Sequence, residues 1–474
     1  MFWKRKSTQQ PEPSLLWLNG RDAISARQAY EGFCALGGTG SGKSSTLEHL
    51  MLALAERQAG MLFLTASNRD FEGIANVARA AGREADLIRF APGERWRFDF
   101  LNYELSSPGG SVATASQQMQ DLVDFATRTQ TTQGNEPFWP LSAARKLRMA
   151  MTVIWRAQGT CSAADLYNFC ITMPSNREEI ESPAFGGSFC GECLAKAKDK
   201  GIDDDLAMAG EYVLREWPRL CAGTGVTAGC IDAIVQNVLE RFVLGEMREL
   251  IASGTTNISP ADLENGKLIA VDCPVLKFRE AGQFVQLCWK LATQRYALRR
   301  ILTPESRDIC LWMDEAQLTA LPQVDSMTQA VARKHKLIQV AITQNLPLLI
   351  SVLKSREDAL AWLGNLQTKF IFANGDKDTN EYFSGLFGHS RHLFGSSSLS
   401  TEPFDLVSDW FGKEQRGQFS VSENWHPDVP PQEFCNLRKG GREFGFMVDF
   451  YAFQGGREFS TGKTWIKASL KQRV

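Results

Sequence analysis

Residues 37–44 read Gly-Gly-Thr-Gly-Ser-Gly-Lys-Ser, and they constrain this chain more than any other part of its 474 residues. They satisfy G-x-x-x-x-G-K-[ST] at every position. An apolar run, FCAL, precedes them, and Leu47, Leu50, Met51 and Leu54 follow at helical spacing. Strand, glycine-rich loop and helix are what a phosphate cradle needs. Glycine lets the backbone close around an anion so that its N–H groups point inward. The helix N-terminus adds partial positive charge. Gly38, Thr39, Gly40, Ser41, Gly42, Lys43, Ser44 and Ser45 are the candidate nucleotide contacts. Lys43 is placed to reach the outer phosphates, and the Ser44 hydroxyl to bind Mg²⁺.

The pattern around the loop predicts an α/β fold. GMLFLTAS at 60–67 reads as a buried strand, 68–82 as helix, and ADLIRF as another strand. Alternation of this kind implies a mostly parallel sheet with helices on both faces. From about 106 to 254 helical periods take over, at 117–129, 140–156, 163–172 and 230–252. This predicts a mainly helical insertion. The alternation returns with GKLIAVDCPVL, a long helix over 280–302, and buried strands in DICLWMDEAQ, LIQVAITQN and QTKFIFANG. Segments 443–453 and 464–470 read as late strands, an edge or a hairpin. The Ser-rich stretch 392–403 reads as a surface loop. The division expected is a leader at 1–14, a nucleotide-binding domain at 15–105 and 255–474, and the insertion at 106–254.

The apolar strand before Asp314-Glu315 supplies the other half of a hydrolase site. Asp314 would enter the Mg²⁺ shell, and Glu315 would orient and deprotonate water. A built-in carboxylate base marks an ATP hydrolase rather than a switch GTPase. Gln344, at the end of the next strand, is positioned to sense the γ-phosphate. Arg333, in a basic cluster just before that strand, is a candidate to neutralise phosphoryl charge in a neighbouring subunit, a role worth about 10³–10⁵ in rate elsewhere. Solvated or DNA-facing residues are the alternative for that cluster.

The phosphate loop, LWMDEAQ, the AITQN strand end and NLQTKFIFANGDKDTNEYF together resemble the TraG/TraD-type coupling proteins of conjugative type IV secretion systems, relatives of the FtsK–HerA DNA translocases. Asn365 and Thr368, then Asp376, Thr379 and Glu381, occupy that family's Asn-x-x-Thr strand and the acidic turn after it. Asn102 in RFAPGERWRFDFLNYE, and EPFWPLSAARKLRMAMTVIW, match the approach to its all-alpha domain. The resemblance implies a RecA-like core, ATP and Mg²⁺, a homo-hexamer with ATP at subunit boundaries, and DNA as substrate. It implies relaxase or secretion-channel proteins as partners. Two departures stand out. The family's paired transmembrane helices are not read here, and its Asp-Pro-Lys-Gly stretch is replaced by Thr65-Ala-Ser-Asn-Arg-Asp70, which leaves Asp70 without an inherited role.

Composition narrows the function classes. A hydrophobic fraction of 43% with 12 Trp excludes a disordered chain. Apolar runs are too short and too often charged to span a bilayer. The expected location is therefore cytoplasmic, peripheral at the inner membrane through a separate membrane subunit. Lys4, Arg5 and Lys6 beside Phe2 and Trp3 would add only weak attraction to anionic lipid. Formal charge is −2, but residues 438–474 carry eight Lys/Arg against three Asp/Glu, a basic tail that is either solvated or in contact with nucleic acid. Scattered cysteines fit a reducing compartment, and Cys190 and Cys193 read as unligated thiols rather than half a zinc site. Two further functions stay open: a soluble DNA-processing or defence motor paired with a nuclease, and a nucleotide-gated platform that recruits protein without moving DNA.

Overall fold

The structure is a computed structural model that describes residues 14–128, 138–223, 225–399 and 417–473. Its centre is a nine-stranded sheet. Its strands are β3 (Phe33–Leu36), β4 (Gly60–Leu64), β5 (Leu87–Phe90), β6 (Leu268–Val271), β7 (Ile309–Met313), β8 (Leu337–Thr343), β9 (Thr368–Ile371), β12 (Met447–Gln454) and β13 (Trp465–Lys471). Two further pairs stand outside it: β1 (Ser14–Trp17) with β2 (Ala23–Ser25), and β10 (His389–Leu399) with β11 (Gly417–Pro427).

The order across the sheet is β13-β12-β9-β3-β8-β7-β4-β6-β5. From β9 to β5 every pairing is parallel. β12 and β13 close the other edge as an antiparallel hairpin, the arrangement expected for the late strands. The central strands are buried on both faces, so they read as continuous apolar runs rather than alternating ones.

The two faces have separate cores. Phe33, Met61 and Phe63 point to one, covered by helices Lys43–Glu56 and Asp70–Ala80 and by the β1–β2 pair. Cys34, Leu62 and Leu64 point to the other, under helix Val275–Arg299. That helix was expected to start at Glu280. It starts at Val275 but breaks at Arg279, whose φ of 48° is not helical.

The helical segments are Phe100–Ser106, Val112–Arg128, Phe138–Gln158, Ala163–Ile171, Phe189–Asp199 and Val226–Val243, with shorter turns between. The predicted helix 230–252 is two pieces, because Leu244-Gly245-Glu246 interrupts it and Gly245 takes φ 62°. Thr129, the expected end of an earlier helix, lies outside the described residues. These helices do not hang from the sheet as a separate body. Phe100 and Phe125 reach Phe242 and Phe284 at ring distances of 5.0 and 5.7 Å, and Phe242 meets Phe284 at 5.7 Å. One continuous core therefore runs from the sheet into the insertion. Arg295 reaches across the same boundary to Asp121, while Arg295 and Arg299 both clamp the buried Glu104 just before it.

One expectation needs correction. Residues 392–399 are not a loop but most of β10, paired through eleven positions with β11. Serine-rich composition hid a strand that gains its order from cross-strand backbone bonds. Residues 400–403 of that stretch, and 1–13 of the expected leader, lie outside the described residues.

Candidate functional site

The sheet order brings the two sequence motifs together. β8 lies between β3, which leads into the phosphate loop, and β7, which ends at Asp314. All three strands are parallel, so their carboxyl ends open on one edge.

The loop is stitched to its neighbours at its base. Gly37 N–H donates to the Gln344 carbonyl at 3.1 Å, and Gly38 N–H to that of Ala373 at 2.9 Å. Gly42 has φ 83°, and a Cβ there would lie 2.6 Å from Val448 Cγ2. Glycine is thus required twice over, by backbone angle and by the strand packed behind it. Lys43 Nζ donates to the Gly37 and Gly38 carbonyls at 2.5 and 3.1 Å, so the ammonium lies folded over the loop. Burial lowers its pKa, against the pull of Glu315 and Asp314.

Asp314 stands in a crowd of negative charge. Burial first, then the charges of Asp70 and Glu315, push its carboxyl up to about 7. Asp70 is held by Ala66 N–H at 2.7 Å, Ser67 N–H at 2.8 Å and the Ser67 hydroxyl at 2.6 Å. Ser44, Thr65, Asp70 and Asp314 line one cavity of about 180 Å³. A hydroxyl beside two carboxylates is a donor set suited to Mg²⁺.

Glu315 has φ 48° and ψ 55°, the left-handed region that a side-chain-bearing residue enters at a cost. Its carboxylate takes two amide protons, from Gln344 Nε2 at 3.0 Å on Oε1 and from Gln317 Nε2 at 2.6 Å on Oε2. Gln344 therefore does lie between the phosphate loop and the base. Gln317 escaped the sequence reading, although it stands in the quoted LWMDEAQ. The signal was its spacing of two from Glu315, which only the tight turn after β7 converts into contact.

Ser45 has a different neighbour than expected. Its hydroxyl donates to the Gly42 carbonyl at 3.2 Å and accepts from Gln472 Nε2 at 2.7 Å, while Gln472 Oε1 accepts from Gly441 N–H at 2.7 Å. The end of the chain thus props the start of the helix after the loop. Arg333 is not part of this cluster. It sits exposed in the turn Arg333–His335, beyond the opposite end of β8 from Gln344.

Part of the basic tail is committed to the fold. Arg438 is bidentate to Asp449 at 2.8 and 2.7 Å, Lys463 pairs with Asp428 at 2.8 Å, and Arg457 donates to the Ala23 carbonyl at 2.9 Å. Cys190 and Cys193 are buried thiols, and burial pushes Cys193 up to about 11 and Cys190 further. Among the described residues no group of three His, Cys, Asp or Glu is placed to hold a metal, and no helix is long and apolar enough to cross a membrane.

Comparison with known proteins bears on the family and the fold. Residues 308–437 match the family model described as the TraM recognition site of TraD and TraG. No curated protein matches the chain. Among solved structures, the conjugative coupling protein TrwB lacking its N-terminal 70 residues is 15% identical, covering 98% of this chain and 90% of its own, with a TM-score of 0.64. TrwB with a non-hydrolysable ATP analogue, and TrwB with ADP and Mg²⁺, are each 16% identical, cover 98% of this chain and 91% of theirs, and score 0.61. The fold is that of a RecA-like P-loop core.

Proposed function

We propose that this chain, whose 308–437 segment matches the TraD/TraG model and whose fold resembles that of TrwB, is a TraG/TraD-type coupling protein that hydrolyses ATP to move DNA or nucleoprotein in conjugation or type IV secretion. The observation that carries the reading is the meeting of Lys43, Ser44, Asp314, Glu315 and Gln344 at the ends of three adjacent parallel strands.

The residues divide the work. Backbone N–H groups of 38–44 and the start of helix Lys43–Glu56 hold the phosphates. Lys43 leaves the loop carbonyls for the β- and γ-phosphates. Ser44 and Asp314 would hold Mg²⁺, which when bound neutralises charge between those phosphates. Glu315 accepts the proton of the attacking water. Gln344, attached to both the base and the loop, is the group that registers the γ-phosphate.

TrwB structures hold an ATP analogue and ADP with Mg²⁺, which supports the same ligands here. A homo-hexamer with Arg333 acting on a neighbour's ATP fits the exposure of that residue. Mixing Arg333→Ala subunits with Glu315→Gln subunits should then recover activity, and no recovery with assembly intact would remove Arg333 from that role. The name of the 308–437 model favours protein docking on that segment, so relaxosome or channel proteins, and a membrane subunit that recruits the ring, are the proposed partners. ATP turnover measured with single- and double-stranded DNA tests the whole reading. Stimulation by either supports a DNA motor, whereas turnover indifferent to DNA would point to the recruitment platform.

A further inference from the structure

The segment after Glu315 is tied down more firmly than a turn requires. Residues 316–321 form a strap in which three consecutive carbonyls are each gripped by a different side chain. Gln283 Nε2 donates to the Leu318 carbonyl, Lys290 Nζ to that of Thr319 at 2.6 Å, and Arg128 to that of Ala320 at 3.1 Å. Lys290 also bonds both oxygens of Asp325, at 2.7 and 2.8 Å, and Asp325 accepts from Leu321 N–H at 2.8 Å. Lys290 and Asp325 are both fully buried. Burying an ion pair is a costly way to hold a turn, because desolvation offsets most of the attraction.

What the strap holds is Gln317. This side chain is 4% exposed. Its Nε2 bonds Glu315, and among the described residues its Oε1 finds no partner. A buried amide with one unsatisfied oxygen is less stable than a leucine of similar size would be. Stability therefore does not account for glutamine at this position, whereas a donor on Glu315 Oε2 does. On the proposed role of Gln344 as the group that registers the γ-phosphate, it does not do that job throughout the cycle. Once it turns to a γ-phosphate, Glu315 keeps only the donor from Gln317.

We propose that Gln317 is a positioning residue for hydrolysis, aiming the Glu315 carboxylate at water, and that Arg128 sets it from the helical insertion by holding the strap. Arg128 is the last described residue of helix Val112–Arg128 in the insertion, so movement of that helix changes the Ala320 anchor and, through the strap, the angle of Gln317. The inference rests on the reading of Glu315 as the base.

The test is a double-mutant cycle on the full-length chain. Gln317→Met keeps side-chain length and removes the donor; Arg128→Met removes the anchor. ATP turnover is measured beside the Kd of a fluorescent ATP analogue and the melting temperature. Gln317→Met should lower kcat at least tenfold with Kd within twofold, a split that simple loosening of the fold would not give. Arg128→Met should lower kcat severalfold, and add little in the Gln317→Met background, because both act through one strap. Gln317→Met with wild-type kcat, or with Kd weakened in parallel, overturns the role of Gln317. Fully multiplicative effects overturn the link to Arg128. A wild-type chain that binds ATP without turning it over overturns the hydrolysis reading itself, and this inference with it.

Discussion

Lys43 and Glu315 lie in one site but act at different moments, and substitutions should separate them. Lys43 contacts phosphate in the ground state, so Lys43→Ala should abolish binding of a fluorescent ATP analogue. Glu315 acts on water, so Glu315→Gln should bind the analogue normally and lose about 10²–10⁴ in turnover, the usual share of a general base. Equal loss of binding in both variants would contradict that division. Asp99 offers a test of a different kind. It is fully buried, and it accepts from Asn102 N–H at 3.0 Å and Gly254 N–H at 2.8 Å, joining the start of the insertion to its end. Burial outweighs those bonds and raises its carboxyl from 3.8 to about 6. Between pH 4 and 6 the folded chain holds a proton there that the unfolded chain releases, so this contribution to stability is full below pH 4 and lost as pH rises through 6. At ~1.36 kcal/mol per unit the loss is about 2–3 kcal/mol. Asp99→Asn stays neutral and keeps an acceptor, so its stability relative to wild type should rise by about that amount between pH 4 and 7, measured by denaturant unfolding. A difference independent of pH would mean that Asp99 is not buried in its charged form.

Elements were legible where one residue type could do only one job. Glycine at 42 must turn and must leave room for Val448, and the apolar runs at 33–36, 309–313 and 337–343 had to be buried strands. Residues whose order comes from distant partners were not legible. The serines of β10 pair with β11 across a gap of sequence, and Gln472 meets Ser45 from 427 positions away. The strap at 316–321 belongs to this second group, since its anchors lie on helices Val112–Arg128 and Val275–Arg299. Burial lowers the pKa of Lys290, and Asp325 opposes it. Removing one member should therefore cost more than removing both charges. Lys290→Met alone leaves an unpaired buried carboxylate, a loss of about 3–5 kcal/mol. Lys290→Met with Asp325→Asn keeps an acceptor for Leu321 N–H and should recover most of it. Thermal unfolding of the two variants decides the matter. If the double variant is the less stable, the pair contributes net stability after all.

At the scale of the whole molecule, the insertion and the sheet share one apolar core. The sequence suggests that strands from 30–105 and 255–390 could close a sheet without residues 106–254, leaving the helices as a detachable reader of cargo. The packing argues otherwise. One face of the sheet, helix Val275–Arg299 and the insertion share a single apolar core, with Phe284 touching Phe125, Phe242 and the guanidinium of Arg241. Cutting the insertion out would uncover Phe284, whose neighbours Phe125, Phe242 and Arg241 all belong to it. It would also remove Asp121, one of the two carboxylates that Arg295 pairs with. An exposed apolar patch of this kind drives aggregation rather than leaving a trimmed but working ATPase. Replacing 106–254 by a short linker should therefore give an insoluble product, or a soluble one that melts far below the intact chain and binds ATP poorly. Soluble yield, thermal unfolding and nucleotide titration of the shortened chain make the test. A well-folded product with intact ATP affinity would show that the shared core is dispensable, and that the insertion rides on the sheet without being part of its foundation.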